Sequence, residues 1–166
     1  MIAANPVFNS LTSILNRPNP RRKASMALSR IMTQLDLRDL PFEQGVDKNR
    51  RKDGTRHVSI GIWLIPIEDN QSPSNVDTSL ALPAVTCDLR RQGIGVLVPT
   101  NIRAQRFMVA VSDQDGVWRF FQTDVRHVSC RPGGWHQLGL DVLKTVDLES
   151  LQMLHFRNRV NSFSGV

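Results

Sequence analysis

Apolar and polar positions repeat at two different periods along the chain. Between Lys23 and Leu37, the residues Ala24, Ala27, Leu28, Ile31, Met32 and Leu35 recur every three or four positions, with Ser25, Arg30, Thr33 and Gln34 on the other side. That spacing gathers the apolar set on one face and predicts an amphipathic helix over about 23–38. Leu40-Pro41 ends it, because the residue before a proline is pushed out of the helical region. The apolar stripe has to be covered, either by the domain that follows or by a partner helix in a homodimer.

From His57 onward the period becomes two. His57–Ile67 begins with alternation and is rich in β-branched residues, so it reads as a strand. Leu80–Asp88, Ile94–Val98, Gln105–Val111, Val117–Val128 and Trp135–Leu143 read the same way. Turn-forming residues separate the runs: the polar Glu68–Ser79, Arg91-Gln92-Gly93, Ser112–Gly116 with its hairpin-favouring Asp-Gly, and Arg131–Gly134. Pro83 confines its strand to an edge or a bulge. Six strand-like segments with no helices between them imply an antiparallel sheet closed into a barrel, which removes open edges. Asp147 is placed to cap a short C-terminal helix over Leu148, Leu151, Met153 and Leu154. The expected organisation is an extension over 1–49 carrying one helix, a barrel with its C-terminal helix over 50–156, and a flexible tail over 157–166.

Composition narrows the class. With 166 residues, 40% of them hydrophobic and 22% charged, the chain suits one globular domain with some extra length. Nine prolines and ten glycines favour a β-rich architecture over a helical bundle. No run approaches the ~18 apolar residues of a membrane span. Met1–Leu15 lacks a basic region ahead of a long apolar core, so no secretory signal is expected and the cytoplasm is the expected compartment. The net charge of +6 is unevenly placed: residues 1–56 hold eleven Lys/Arg against five Asp/Glu, whereas 57–166 hold ten of each. A phosphate-bearing partner would be drawn to the first third of the chain.

The densest cationic cluster is Asn49-Arg50-Arg51-Lys52-Asp53-Gly54-Thr55-Arg56, just ahead of the first strand. Guanidinium groups present planar forks of donors that match phosphate oxygens, and a glycine-bearing loop lets several converge. The second candidate element is Cys87-Asp88-Leu89-Arg90-Arg91-Gln92-Gly93-Ile94-Gly95, where a strand ends in a carboxylate and a glycine permits a close backbone turn before the next strand. A carboxylate can accept both N1–H and the 2-amino group of guanine. Arg103, Arg106, Arg119 and Arg126, with Trp118 and Phe120, offer an alternative nucleic-acid surface, against which stands ordinary core packing of the aromatics. Asp141, a polar residue within the last strand-like run, reads as a satisfied or edge carboxylate. Cys87 and Cys130 lack metal-ligand spacing and read as thiols in strands. His57, His127, His136 and His155 are scattered without catalytic spacing, so no enzyme is expected.

The two elements together resemble the two-part signature of the PilZ domain, the bacterial cyclic di-GMP receptor module. In that signature two adjacent arginines, three residues and a third arginine precede Asp or Asn, any residue, Ser, two residues and Gly. The resemblance covers roughly Arg50 to Asp147, with Leu138-Gly139-Leu140 resembling the family's glycine-centred final strand. It implies a mainly β fold, a six-stranded antiparallel PilZ-like β-barrel with a short C-terminal helix. It also implies cyclic di-GMP as ligand, with no further cofactor and no metal, and an effector protein as partner. The site residues it implies are Arg51, Lys52, Arg56, Asp88, Arg90 and Gly93. Lys52 departs from the pattern by replacing a planar fork with a point charge, and Arg90 by replacing a compact hydroxyl with a long cation. Arg90 either supplies a phosphate contact or fills the nucleotide's place by pairing with Asp88. The corresponding functions are a cyclic di-GMP receptor that signals to a protein partner, and a degenerate barrel that acts as a protein-interaction module.

Overall fold

A computed structural model describes residues 19–36, 57–100 and 102–164, with the side chains of 35, 36 and 164 excepted. Its elements in chain order are helix α1 (Pro20–Asp36), strands β1 (Gly61–Pro66), β2 (Leu82–Arg90), β3 (Gly93–Val98), β4 (Arg106–Ser112), β5 (Trp118–Cys130) and β6 (His136–Val146), and helix α2 (Ser150–Ser164). The strands form a closed antiparallel barrel in the order β1-β2-β3-β6-β5-β4. Closure gives every strand two neighbours and leaves no free edge in the ring. No helix among the described residues is long and apolar enough to cross a membrane.

Strand alternation divides the apolar residues between two cores. Ile62 and Leu64 of β1, Val96 and Val98 of β3, Phe107 and Val109 of β4 and Leu138 and Leu140 of β6 fill one cluster. The intervening Trp63 and Ile65 of β1 and Met108 and Ala110 of β4 belong to the other, where Phe156 of α2 covers them. Burial of both faces explains why β1 is nearly uniformly apolar after its first residues. The apolar face of α1, with Ala24, Leu28, Ile31 and Met32, joins the first cluster and packs on the barrel. Arg21 of α1 adds a bond to the barrel, its Nη2 donating to Asp141 Oδ2 at 2.9 Å.

Three local expectations need correction. Asp147 is exposed and lies short of α2, which starts at Ser150; the Gln152 side chain instead accepts from the Glu149 backbone N–H at 3.4 Å, half of a capping box. Leu151 and Leu154, expected on the apolar face of that helix, are exposed, and Phe156 is the side chain that α2 buries. The segment from Arg157, expected as a tail, continues α2 to Ser164. Tertiary contacts hold this last stretch: Arg159 Nε donates to Ala81 O at 3.2 Å, and the Phe163 ring meets Trp63 edge-on at 5.3 Å. The Asp-Gly hairpin between β4 and β5 forms as expected, with Gly116 at φ 74° and the Asp113 carboxylate accepting from Asp115 and Val117 N–H.

Candidate functional site

Two irregularities in strand pairing aim polar side chains at one patch of the barrel wall. On β2, Thr86 pairs with Val96 and Asp88 with Gly95, so Cys87 is an extra residue in a bulge. An unbroken strand would turn alternate residues inward; the bulge lets Thr86 and Leu89 both be buried while Asp88 lies over Gly95 on the outer face. On β5, Val125 pairs with Leu140 and His127 with Gly139, leaving Arg126 as the extra residue. The imidazole of His127 consequently lies on Gly139. Gly95 and Gly139 are themselves paired across β3 and β6, and neither has a Cβ to lift these side chains off the sheet.

The patch forms the floor of an open concavity of about 1080 Å³, larger than the roughly 300–1,000 Å³ typical of small-molecule sites. Asp88, Arg90 and Gly93, three of the residues singled out in the sequence, line it together with Arg91, Gln92 and Gly95. Across β6 the lining continues with Arg126, His127, Gln137, Gly139 and Asp141. Arg51, Lys52 and Arg56 lie outside the described residues, whereas His57, the next residue in the chain, lines the concavity. The segment after His57 is fixed to β2: the buried Thr86 hydroxyl donates to Val58 O at 2.6 Å and accepts from Ile60 N–H at 3.1 Å.

Arg90 and Asp88 form an ion pair, with Nε 3.2 Å from Oδ1. The contact lacks hydrogen-bond geometry, and Arg90 Nε is buried with no hydrogen-bond partner among the described residues. Of the two positions proposed for Arg90 from its chemistry, the structure shows the pairing with Asp88. Asp141 is shared by two guanidinium groups, with Arg126 Nη2 donating at 2.6 Å and Arg21 Nη2 at 2.9 Å to the same Oδ2. It is thus a satisfied carboxylate, and its hydrogen bond holds the exposed Arg126 still more firmly in its charged form. Behind Asp88, Cys87 accepts from Gln137 Nε2 at 3.4 Å. Burial pushes the Cys87 thiol above its ordinary range, and the adjacent Asp88 carboxylate acts in the same direction.

The other sequence candidates are distributed elsewhere. Arg119 is paired with Asp113 at 3.1 Å and Arg106 donates to Glu68 O, so these arginines are engaged with separate partners. Trp118 and Phe120 pack edge-on against Phe156, each with ring centroids 5.1 Å away, as core packing requires. His136 Nδ1 lies 3.9 Å from Cys130 Sγ, and His155 is exposed on α2. Among the described residues no group of three or more His, Cys, Asp or Glu could hold a metal ion. Sequence reasoning placed Gly95 in the second element but missed His127 and Gln137 as parts of the same site; His127 enters through the pairing of Gly95 with Gly139 and of Gly139 with His127, and Gln137 through its bond to Cys87.

No family model matches the chain, and no curated protein matches it significantly. Among solved structures it is similar to the inhibitor of motility MotI/DgrA of Bacillus subtilis, with 10% identity and a TM-score of 0.44 over 70% of this chain and 53% of that one. The chain therefore spans about half the length of that protein. It is also similar to the PilZ domain of YcgR from Escherichia coli, solved with c-di-GMP, with 15% identity and a TM-score of 0.37 over 70% of this chain and 92% of that one.

Proposed function

We propose that the protein is a PilZ-like cyclic di-GMP receptor that passes the signal to a protein partner in the cytoplasm. The observation that carries this reading is the convergence of Asp88, Arg90, Arg91, Arg126 and His127 on one concavity whose floor is a pair of glycines. In this reading Asp88 accepts from the Watson–Crick edge of a guanine. Arg91 and Arg126 meet phosphate oxygens, and the basic segment Arg51, Lys52 and Arg56, joined to the lining through His57, completes the clamp. The His127 ring offers a face for base stacking. Residues from 50 through the end of α2 at Ser164 are then the receptor unit, and 1–49 an extension of it.

One observation favours a second reading. The Asp88 carboxylate that would receive guanine is already paired with Arg90. A barrel closed in this way binds no nucleotide and serves as a protein-interaction module. Isothermal titration calorimetry with cyclic di-GMP on the natural chain, Arg56→Ala and Asp88→Ala separates the two. Micromolar binding by the natural chain that both substitutions abolish supports the receptor. Absence of heat in the natural chain overturns it and leaves the interaction module.

A further inference from the structure

A second groove, of about 410 Å³, lies where α1, the first residues of β5 and the end of β6 meet α2. Trp118, Phe120 and Val146 line it from the barrel and Met153 from α2, giving an apolar floor, with the exposed Asp147 carboxylate on the wall that follows β6. From α1 come Met26, 54% exposed, and the exposed cations Lys23 and Arg30. Positions 23, 26 and 30 are spaced by three and four, so these side chains share one side of the helix. Lys23 and Arg30 are two turns apart, about 10 Å along the axis. Neither makes an ion pair among the described residues, whereas Arg119, the third cation of the lining, is held by Asp113.

We propose that this groove docks an acidic amphipathic helical segment of a partner protein. The apolar floor by itself would accept any hydrophobic surface; Lys23 and Arg30, unpaired among the described residues, select one that turns its carboxylates toward α1 and away from Asp147. A helix laid in the groove would present apolar anchors toward Trp118 and Met26 and carboxylates about two turns apart toward Lys23 and Arg30. Methionine suits the task because its unbranched thioether adapts to different anchors, and Met26 and Met153 both line the groove. The proposal does not rest on the nucleotide reading, since the groove and the Asp88 concavity share no lining residue.

The test uses the full chain and a fluorescein-labelled synthetic peptide of about 14 residues, with Leu and Phe on one helical face and Glu flanking them. A sibling peptide carries Lys in place of every Glu. The acidic peptide should raise fluorescence anisotropy saturably and the lysine sibling should not. Lys23→Glu combined with Arg30→Glu should weaken the acidic peptide at least about tenfold, and added salt should weaken it in the natural chain. Met26→Glu, at an exposed position, should weaken it independently while leaving the circular dichroism spectrum unchanged. Equal binding of the two peptides, no binding of the acidic one, or indifference to both sets of substitutions overturns the proposal. So does self-association of the natural chain in sedimentation equilibrium that Met26→Glu abolishes, because the groove would then be occupied by a second copy.

Discussion

Arg90 Nε stands 3.2 Å from Asp88 Oδ1, so the carboxylate near the end of β2 already has a cation beside it. A ligand that uses Asp88 has to displace this ion pair before its own donors can reach the carboxylate. Arg90→Ser removes the competitor and opens the strand end to a hydroxyl. The affinity for cyclic di-GMP should rise about tenfold by calorimetry. A lower affinity would assign Arg90 to ligand contact, and an unchanged one would remove the competition argument.

Gly95 and Gly139 face each other across β3 and β6, yet a methyl group at each meets different neighbours. At Gly95 the added Cβ would lie 2.3 Å from Asp88 Oδ2, 2.7 Å from its Cγ and 2.9 Å from Cys87 Sγ. Asp88 is buried and held by Arg90, so the conflict cannot be relieved by a simple side-chain swing. Gly95→Ala should destabilise the fold by about 1–3 kcal/mol in urea denaturation and abolish ligand binding. At Gly139 the conflict is with the exposed His127 ring, 1.9 Å from its Cε1, and the ring can rotate toward solvent. Gly139→Ala should therefore change stability by less than about 1 kcal/mol while lowering ligand affinity. Equal losses of stability in the two variants would refute the distinction.

The strands were legible because both of their signals are local. Alternation from β-branched and aromatic residues marks each run, and Gly, Pro and Asp punctuate it, so all six observed strands overlap the expected segments. The covering of α1 by the barrel settles, for Ala24, Leu28, Ile31 and Met32, which of two occupants meets the stripe. The bulges at Cys87 and Arg126 are invisible in sequence, since each is a difference of one residue between two strands far apart in the chain. They decide which side chains reach the glycine patch. Asp88, Arg90 and Gly93 were named through the resemblance of one strand end to a known motif, whereas His127 enters the same concavity only through cross-strand register. The length of α2 was missed for a related reason: Arg159 and Phe163 are held by Ala81 and Trp63, partners that no pattern within the helix reveals.

Phe156 is the anchor of α2. It is fully buried, with Trp63, Trp118 and Phe120 meeting its ring edge-on at 5.1–6.3 Å. Much of the rest of the helix is exposed, including Leu151 and Leu154, so few other contacts can replace it. Phe156→Ala should lower the unfolding free energy by about 3–5 kcal/mol in urea denaturation. Leu151→Ala, on the exposed side, should change it by no more than about 0.5 kcal/mol. Comparable losses in the two variants would mean that α2 is not held through this ring cluster.

The Cys87 thiol links the site to alkaline pH. Burial, and then the Asp88 charge, raise its pKa in the folded chain, so the native state holds this proton more tightly than the unfolded chain. The resulting stabilisation is fully present below the ordinary thiol value of about 8.5 and is lost as pH rises through the higher folded value. Natural protein and Cys87→Ala, compared by urea unfolding from neutral pH upward, should therefore converge or cross as pH rises. Parallel stability curves would show that Cys87 does not titrate differently on folding. At neutral pH the half-buried Cys87, its thiol pKa raised, should also be alkylated by iodoacetamide more slowly than the exposed Cys130, as read by peptide mass spectrometry. Cyclic di-GMP bound against Asp88 should slow Cys87 further and leave Cys130 unchanged, because only Cys87 lies within hydrogen-bonding distance of that carboxylate.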